Sequence, residues 1–379
     1  MKKAKKFLSL VLVALMCLST VLFNVNATET EEALAPTGQC GDNVYWTLDK
    51  TAGEIIISGE GDMWNYNSTT SPFGSKDIKS IIIEEGITSI GNYAFEYSLN
   101  LSSIKIPDSV TSIGADAFHN ATNLMDIYIS NISSWCSIKF TNIFSNPLCI
   151  AENLYLNENL VEDIIVPNEV EQINDFAFLN YCKLKSINIP ASVTNIGSNA
   201  FWNCKNLEEI IIPDNVTSIG DNAFFSCSNL KKAIIGKSVI SIGDYAFAAC
   251  TSLEEIIIPD NVTSIGHNAF FSCSNFKKAI IGKSVTSIGD YAFAECTCLT
   301  IYGYNPSTAK SYAEANDIPF KAINIITDEP STPDTPSDPT DNCSCNCHAG
   351  GVKTFFFKLI NFFQKLFGKN KVCACGIKH

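Results

Sequence analysis

The stretch Leu207-Glu-Glu-Ile-Ile-Ile-Pro-Asp-Asn-Val-Thr-Ser-Ile-Gly-Asp-Asn-Ala-Phe-Phe-Ser-Cys227 reads as one turn of a coil. Glu209-Ile210-Ile211-Ile212 is short, β-branched and closed by Pro213, which predicts a strand. Asn215 sits in the turn that Pro213 opens. Val216 and Ile219 then point inward, Gly220 lets the chain reverse, and Ala223-Phe224 close the far side in a short helical turn. Working outward, the Ala-Phe pair returns at Phe178, Phe201, Phe224, Phe247, Phe270 and Phe293, each 23 residues on; Phe95 and Phe118 are one more pair at that spacing. A period of this length marks a stacked solenoid, in which no unit buries its apolar face alone. Leu207, Ile210, Ile212, Val216, Ile219, Ala223 and Phe224 then form one layer of a continuous core. Such a fold offers a long repeated surface, suited to recognition more than to convergent catalysis.

The pattern L-x-x-I-x-I-P-x-x-V-x-x-I-G-x-x-A-F-x-x-C resembles the BspA-type leucine-rich repeat of bacterial surface proteins. Leu184 to Cys204 and Leu253 to Cys273 carry it almost unaltered, and Leu101 to Ala121 carries it without the cysteine. The resemblance spans about residues 38–325. It implies an α/β leucine-rich-repeat solenoid, a horseshoe or gently curved, with short parallel strands on one face and turns and short helical segments on the other. It also implies adhesin-like recognition at a cell surface, with no particular ligand carried over.

Departures from the pattern carry information. Phe118 and Phe178 are 60 residues apart, which is not a multiple of 23, and Trp135, Cys136, Phe140, Phe144 and Pro147 fall between them. A modified coil at about 125–160 is expected, resembling a W…F…NP interruption of related arrays, and Cys136 and Cys149 are candidates for a bridge within it. Residues 208–253 and 254–299 are near copies, differing at Asp221/His267, Leu230/Phe276, Ile240/Thr286, Ala249/Glu295 and Ser252/Cys298. A two-coil duplication argues against catalysis there, because acids, bases and nucleophiles would appear twice in one setting. His267 is unmatched, and surface decoration is its expected role.

Strand alternation places every second residue outward. One outward column reads Ser186, Glu209, Lys232, Glu255, Lys278; the next reads Asn188, Ile211, Ile234, Ile257, Ile280. The first column is expected to be an ion-pair ladder. The second is an apolar stripe on a face that should be wet, and such a stripe points to contact with a partner or to shielding by a neighbouring molecule or the curved wall.

Sixteen cysteines would suggest disulfides in an exported chain. Cys204, Cys227, Cys250, Cys273 and Cys296, however, recur at the repeat period, where Ser98 and Ala121 stand in earlier repeats. A site accepting Cys, Ser or Ala wants a small buried side chain, so buried thiols are the main reading; bridges between adjacent repeats stay open as the alternative. The chain is acidic, with net charge -13, and its basic residues are all lysine. Without arginine forks, nucleic acid is an unsuitable partner.

The ends complete the expected organisation. Residues 1–27, basic and then apolar, read as a secretory signal peptide. Residues 38–74 form an N-terminal cap of two strands, 75–299 the repeats, and 300–325 a C-terminal cap with a helix from Ser307 to Asn316 and a strand from Ile318 to Ile325. Residues 327–342, rich in Pro, Asp, Ser and Thr, form a linker. Residues 343–379 form a tail in which Cys343, Cys345, Cys347, His348, Cys373, Cys375 and His379 flank the apolar segment Phe355–Phe367. These are zinc ligands or disulfide partners. The segment is too short to span a bilayer and suits a membrane interface or packing over the clusters. The sequence thus predicts a non-enzymatic, secreted or cell-surface bacterial recognition protein that binds an extracellular protein or glycan on its strand face. The alternatives are a structural surface component anchored by its tail and, with least support, an enzyme using the repeats as a platform. No Ser/His/Asp, H-E-x-x-H or phosphate-loop signature favours the last.

Overall fold

A regular coil of this chain has three sides, and every side bonds to the coils before and after it. The computed structural model describes residues 37–74 and 77–323. On the first side lies the predicted strand: Glu209–Ile211, Lys232–Ile234, Glu255–Ile258 and Lys278–Ile281 run parallel and in register, and Thr300–Gly303 and Phe320–Ala322 extend the same sheet. On the second side lies a two-residue strand, Ser218–Ile219 in the coil quoted above, paired with Asn195–Ile196 before it and Ser241–Ile242 after it. On the third lies the Ala-Phe turn. There the Phe201 N–H donates to the Ala223 carbonyl at 2.8 Å, and Phe224, Phe247 and Phe270 repeat the bond to Ala246, Ala269 and Ala292 at 2.7–2.8 Å.

The Ala-Phe side departs from the expected helical turn. In the regular coils it is an extended series of turns, with two residues per coil in the left-handed region, such as Asn199 and Asn203, Asn222 and Ser226, or Asn268 and Ser272. Asparagine tolerates that region because its short polar side chain can bond locally, which accounts for the recurrent Asn in the pattern. The turns send alternate backbone N–H groups, such as those of Asn199, Phe201 and Asn203, to the next coil, while Ala200, Trp202 and Cys204 bond within their own; a helix would consume all of them internally. The glycine after each inward Ile also has a different task from reversing the chain. A Cβ at Gly220 would lie 2.5 Å from the Ser198 nitrogen, so glycine permits close approach of adjacent coils.

One hydrophobic core runs from Cys40 to Ala313. Its axis is a file of buried phenylalanines: Phe201–Phe224, Phe224–Phe247, Phe247–Phe270 and Phe270–Phe293 stack with centroids 5.1–5.4 Å apart. Full burial of such a ring contributes about 1.5–3 kcal/mol, and each offset pair adds about 0.5–1.5 kcal/mol.

The expected irregular coil is present. Helix α1 (Ile132–Ser137), capped by the Asn131 side chain, and two 3-10 turns at Ile143–Ser145 and Pro147–Cys149 fill it. Strand Asn153–Leu156 then doubles back through Asn159–Leu160 in a hairpin that ends the first large sheet. The Trp and the Asn-Pro of the interruption have a definable task. Trp135, 1 % exposed, donates from Nε1 to the Ala177 carbonyl at 2.8 Å, and buried Asn146 donates from Nδ2 to the Phe176 and Ala177 carbonyls. At Ala177 these side chains satisfy an acceptor that, between regular coils, binds the backbone N–H of a Phe. Cys136 and Cys149 are both free thiols, so the bridge considered for them is absent. Burial pushes each up to about 12.

Both caps shield the ends of the core. The N-terminal cap has three strands where two were expected, Thr37–Gly41, Val44–Asp49 and Glu54–Gly59, an antiparallel meander whose third strand starts the parallel ladder. The split arises because Gly53, at φ 72°, turns the chain between the second and third strands. At the other end helix α2 (Thr308–Ala315) starts at Ser307, whose side chain accepts from the Lys310 N–H, and Phe320–Ala322 forms the edge strand.

Candidate binding face

The predicted outward columns lie on the first side of the coils as the pattern required. Glu209 pairs with Lys232, Lys232 with Glu255 and Glu255 with Lys278; Ile211 lies beside Ile234 and Ile257 beside Ile280. Inward neighbours Ile210, Ile256 and Ile258 are buried, whereas Ile211, Ile234, Ile257 and Ile280 are all half-buried, their outer surfaces open. Two ends of the column were not anticipated. Ile165, paired with Asn188, is 74 % exposed, and Tyr302 follows Ile280 with the Lys278 and Lys321 ammonium groups 5.5 and 5.6 Å from its ring centroid. The signal for Ile165 was its place one period before Asn188, hidden by the irregular coil preceding it.

The charged column forms ion pairs between coils. Lys232 Nζ lies 2.7 Å from Glu209, and Lys278 lies 3.7 Å from Glu255. Flanking rows repeat the arrangement: Lys231–Glu208 at 2.9 Å, Lys277–Glu254 at 3.1 Å, Lys237–Asp214 at 3.4 Å and Lys283–Asp260 at 3.8 Å. Within the duplicated block, then, acidic coils alternate with basic ones. These pairs are solvent-exposed, so each contributes about 0–1 kcal/mol. Their larger effect is on which charges the face presents.

In the N-terminal half the corresponding outward positions are Ile56, Ile82, Lys105, Tyr128 and Tyr155. Tyr128 and Tyr155 stack at 4.8 Å and 14°. Burial, then Asp126, Tyr155 and Glu158, raise the Tyr128 hydroxyl above its ordinary value. Beside them an open depression of about 480 Å³ is lined by Leu156, Asn157, Asn159, Leu160, Val161, Glu162 and Asp163. Glu162 is held by Lys185 at 2.6 Å. The depression therefore brings together the two carboxylates of Glu162 and Asp163 with apolar and amide side chains, and its lining includes no histidine, cysteine, serine or lysine.

The periodic cysteines are buried free thiols, as the main reading had it. Sequence reasoning found their small size and missed their hydrogen bond. Each donates to the carbonyl of the Phe one coil back: Cys204 to Phe178, Cys227 to Phe201, Cys250 to Phe224 and Cys273 to Phe247, at 3.1–3.2 Å. Ser98 makes the same bond to Phe73 at 2.9 Å, and the single Ser in the column was the available signal. Burial pushes Cys227 up to about 12 and holds Cys204 and Cys250 well above the usual thiol range.

His267 does more than decorate. Asp221 and Asp244 each accept the backbone N–H one coil on, at 2.8 and 2.7 Å; in the second copy His267 Nδ1 takes that place and accepts from the Asp290 N–H at 3.0 Å. Among the described residues no three His, Cys, Asp or Glu side chains gather into a metal site. No helix among the described residues is long and apolar enough to cross a membrane. The tail ligands Cys343, Cys345, Cys347, His348, Cys373, Cys375 and His379, the Phe355–Phe367 segment and the 1–27 leader lie outside the described residues.

A family model described as the BspA type leucine rich repeat region matches the chain at 69–208, 149–248 and 222–326. No curated protein matches it. Among solved structures, a leucine-rich repeat protein from Eubacterium ventriosum is 24% identical, covering 72% of this chain and 79% of its own, with a TM-score of 0.49. A leucine rich cell surface protein from Faecalibacterium prausnitzii is 20% identical, covering 72% and 96%, with a TM-score of 0.38. The pneumococcal vaccine antigen PcpA is 14% identical, covering 77% and 100%, with a TM-score of 0.41.

Proposed function

Since the chain belongs to the BspA-type leucine-rich-repeat family, we propose that it is an exported, surface-associated recognition protein without enzymatic activity, which holds an extracellular protein or glycan on its strand face. One observation carries this reading. Ile211, Ile234, Ile257 and Ile280 stand in a single half-buried file on that face, bordered by ion-paired Glu209, Lys232, Glu255 and Lys278. Apolar centres rimmed by polar groups are how protein surfaces hold partners, and a stripe of this kind gives a folded chain no return when left wet. Export is supported by the basic and apolar start of the chain. A cell-surface location agrees with the name of the Faecalibacterium neighbour.

The test is capture of a panel of immobilised matrix proteins and mucin glycans by the full chain. Replacing Ile234→Glu and Ile257→Glu should abolish capture while the circular-dichroism spectrum stays unchanged. Capture at wild-type strength by the folded variant would remove the strand face from the mechanism.

A further inference from the structure

The charge order on this face has a symmetry of its own. Down the solenoid one row reads Glu209, Lys232, Glu255, Lys278, and a flanking row reads Asp214, Lys237, Asp260, Lys283. Both rows have four members of alternating sign. Both end at uncharged neighbours: Ser186 precedes the first row and Thr300 follows it, while Ala191 precedes the second. An even, alternating row is its own complement when reversed. An odd row, or one of uniform sign, would place like charges together.

Consider a two-fold axis running along the strand direction and passing between strands Lys232–Ile234 and Glu255–Ile258. It turns a second copy face down and reverses the coil order while keeping each row over itself. Glu209 then faces Lys278 of the second copy, and Lys232 faces Glu255. Asp214 faces Lys283, and Lys237 faces Asp260. The same operation lays Ile211 over Ile280 and Ile234 over Ile257. Each contact occurs twice, as an isologous interface requires.

The local shape permits this approach. On the turn side the phenylalanine centroids are 5.1–5.4 Å apart, and on the strand side the spacing of paired strands is about 4.8 Å. Centroid separation includes any sideways offset, so the true difference between the two sides is smaller still. Over four coils the face is nearly flat, and two such faces can meet at about the 10 Å of packed sheets.

Resting on the strand-face reading above, we infer that the occupant of this face is a second copy of the chain, docked through the 208–299 block about that two-fold axis. The patch from 208 to 214 across four coils has an area on the order of 400 Å² per copy, from strand rise and spacing. Stable interfaces bury about 800 Å² per partner. A single contact is therefore weak, and dense display on a surface multiplies it. The chemistry is that of homotypic contact between crowded copies.

The experiment uses beads coated densely with the full chain. Wild-type beads should cluster, and added salt should disperse them, because the contact rests on exposed charge. Beads carrying K232E/K278E, whose row is wholly acidic, should cluster about tenfold less, and so should beads carrying E209K/E255K, because like charges then face one another. Mixing the two variants should restore clustering. A register test accompanies this: I211C and I280C proteins, both carrying serine at Cys298 and at the five tail cysteines, mixed under mild oxidation, should cross-link to each other, while I211C alone in that background should not. Dispersed wild-type beads, variants that cluster like wild type, a mixture that stays dispersed, or cross-linking by I211C alone would each overturn the proposal. Circular dichroism confirms that the variants are folded. If clustering ignores these charges while Ile234→Glu/Ile257→Glu still abolishes capture of the matrix and mucin panel, the homotypic contact fails and the strand-face reading stands.

Discussion

The duplicated block and the irregular coil solve the same problem with different parts of the chain. Between residues 208 and 299 the backbone joins coil to coil on all three sides, and the side chains supply one continuous apolar file. Between Phe118 and Phe178 the register is lost, the large sheet ends in a hairpin, and two side chains, Trp135 and Asn146, bond to the carbonyls of the next coil. Repetition spreads stability over many equivalent small contributions. Interruption concentrates it in a few residues, so a single substitution should be felt most there.

That contrast can be broken by experiment. Trp135→Ala removes the largest buried ring of the irregular coil together with its hydrogen bond to Ala177. Large core truncations of this kind cost about 3–5 kcal/mol. Because solenoid stability is a sum of neighbour terms, the urea transition should also split into two, one for each side of the interruption. A single transition shifted by less than about 1 kcal/mol would show the two regions to be equally redundant.

Asn146→Ala comes next. It leaves the buried Leu148 N–H without its partner, while the Phe176 carbonyl keeps the Leu179 N–H and the Ala177 carbonyl keeps Trp135, and an unsatisfied buried group costs about 1–3 kcal/mol. Cys227→Ala in the duplicated block should cost about 1 kcal/mol, one net hydrogen bond, with Cys227→Ser recovering part of it because Ser98 already makes that bond. Both are read from urea midpoints. Lys231→Ala, removing an exposed inter-coil pair, should change stability by less than about 0.5 kcal/mol.

Alkali sharpens the comparison from another side. Burial pushes Cys136, in the irregular coil, and Cys227, in the block, each up to about 12, whereas unfolded thiols ionise near about 8.5. Between those values the folded state binds more protons. The thiol contribution to stability is therefore complete below about 8.5 and is lost as pH rises toward 12. Unfolding free energies should be level from pH 7 to about 8.5 and then fall; a rise above pH 9 would contradict the burial of these thiols. The same burial should keep the thiols from reacting with alkylating reagents at neutral pH until denaturant is added.

Much of this was legible in the chain. The 23-residue return of Ala-Phe placed the core layers, and strict alternation on the strand side identified Ile211, Ile234, Ile257 and Ile280 as outward. Local periodicity is enough for that, because each coil meets a near copy of itself and the pairing register follows from the repeat length. Non-repeating contacts had no such signal. Nothing in the local sequence says that Trp135 bonds to a carbonyl 42 residues on, or that the cysteine column donates hydrogen bonds as well as filling space.

By itself, then, the sequence determined the stack, its inward and outward faces, and the alternation of acid and base along it, because a repeat pairs with its neighbour and the neighbour is already known. Tertiary structure alone decided the turn-built far side and the side-chain splice across residues 125–160. Those depend on distances between backbones, and a letter pattern fixes which residues meet without fixing how closely they approach.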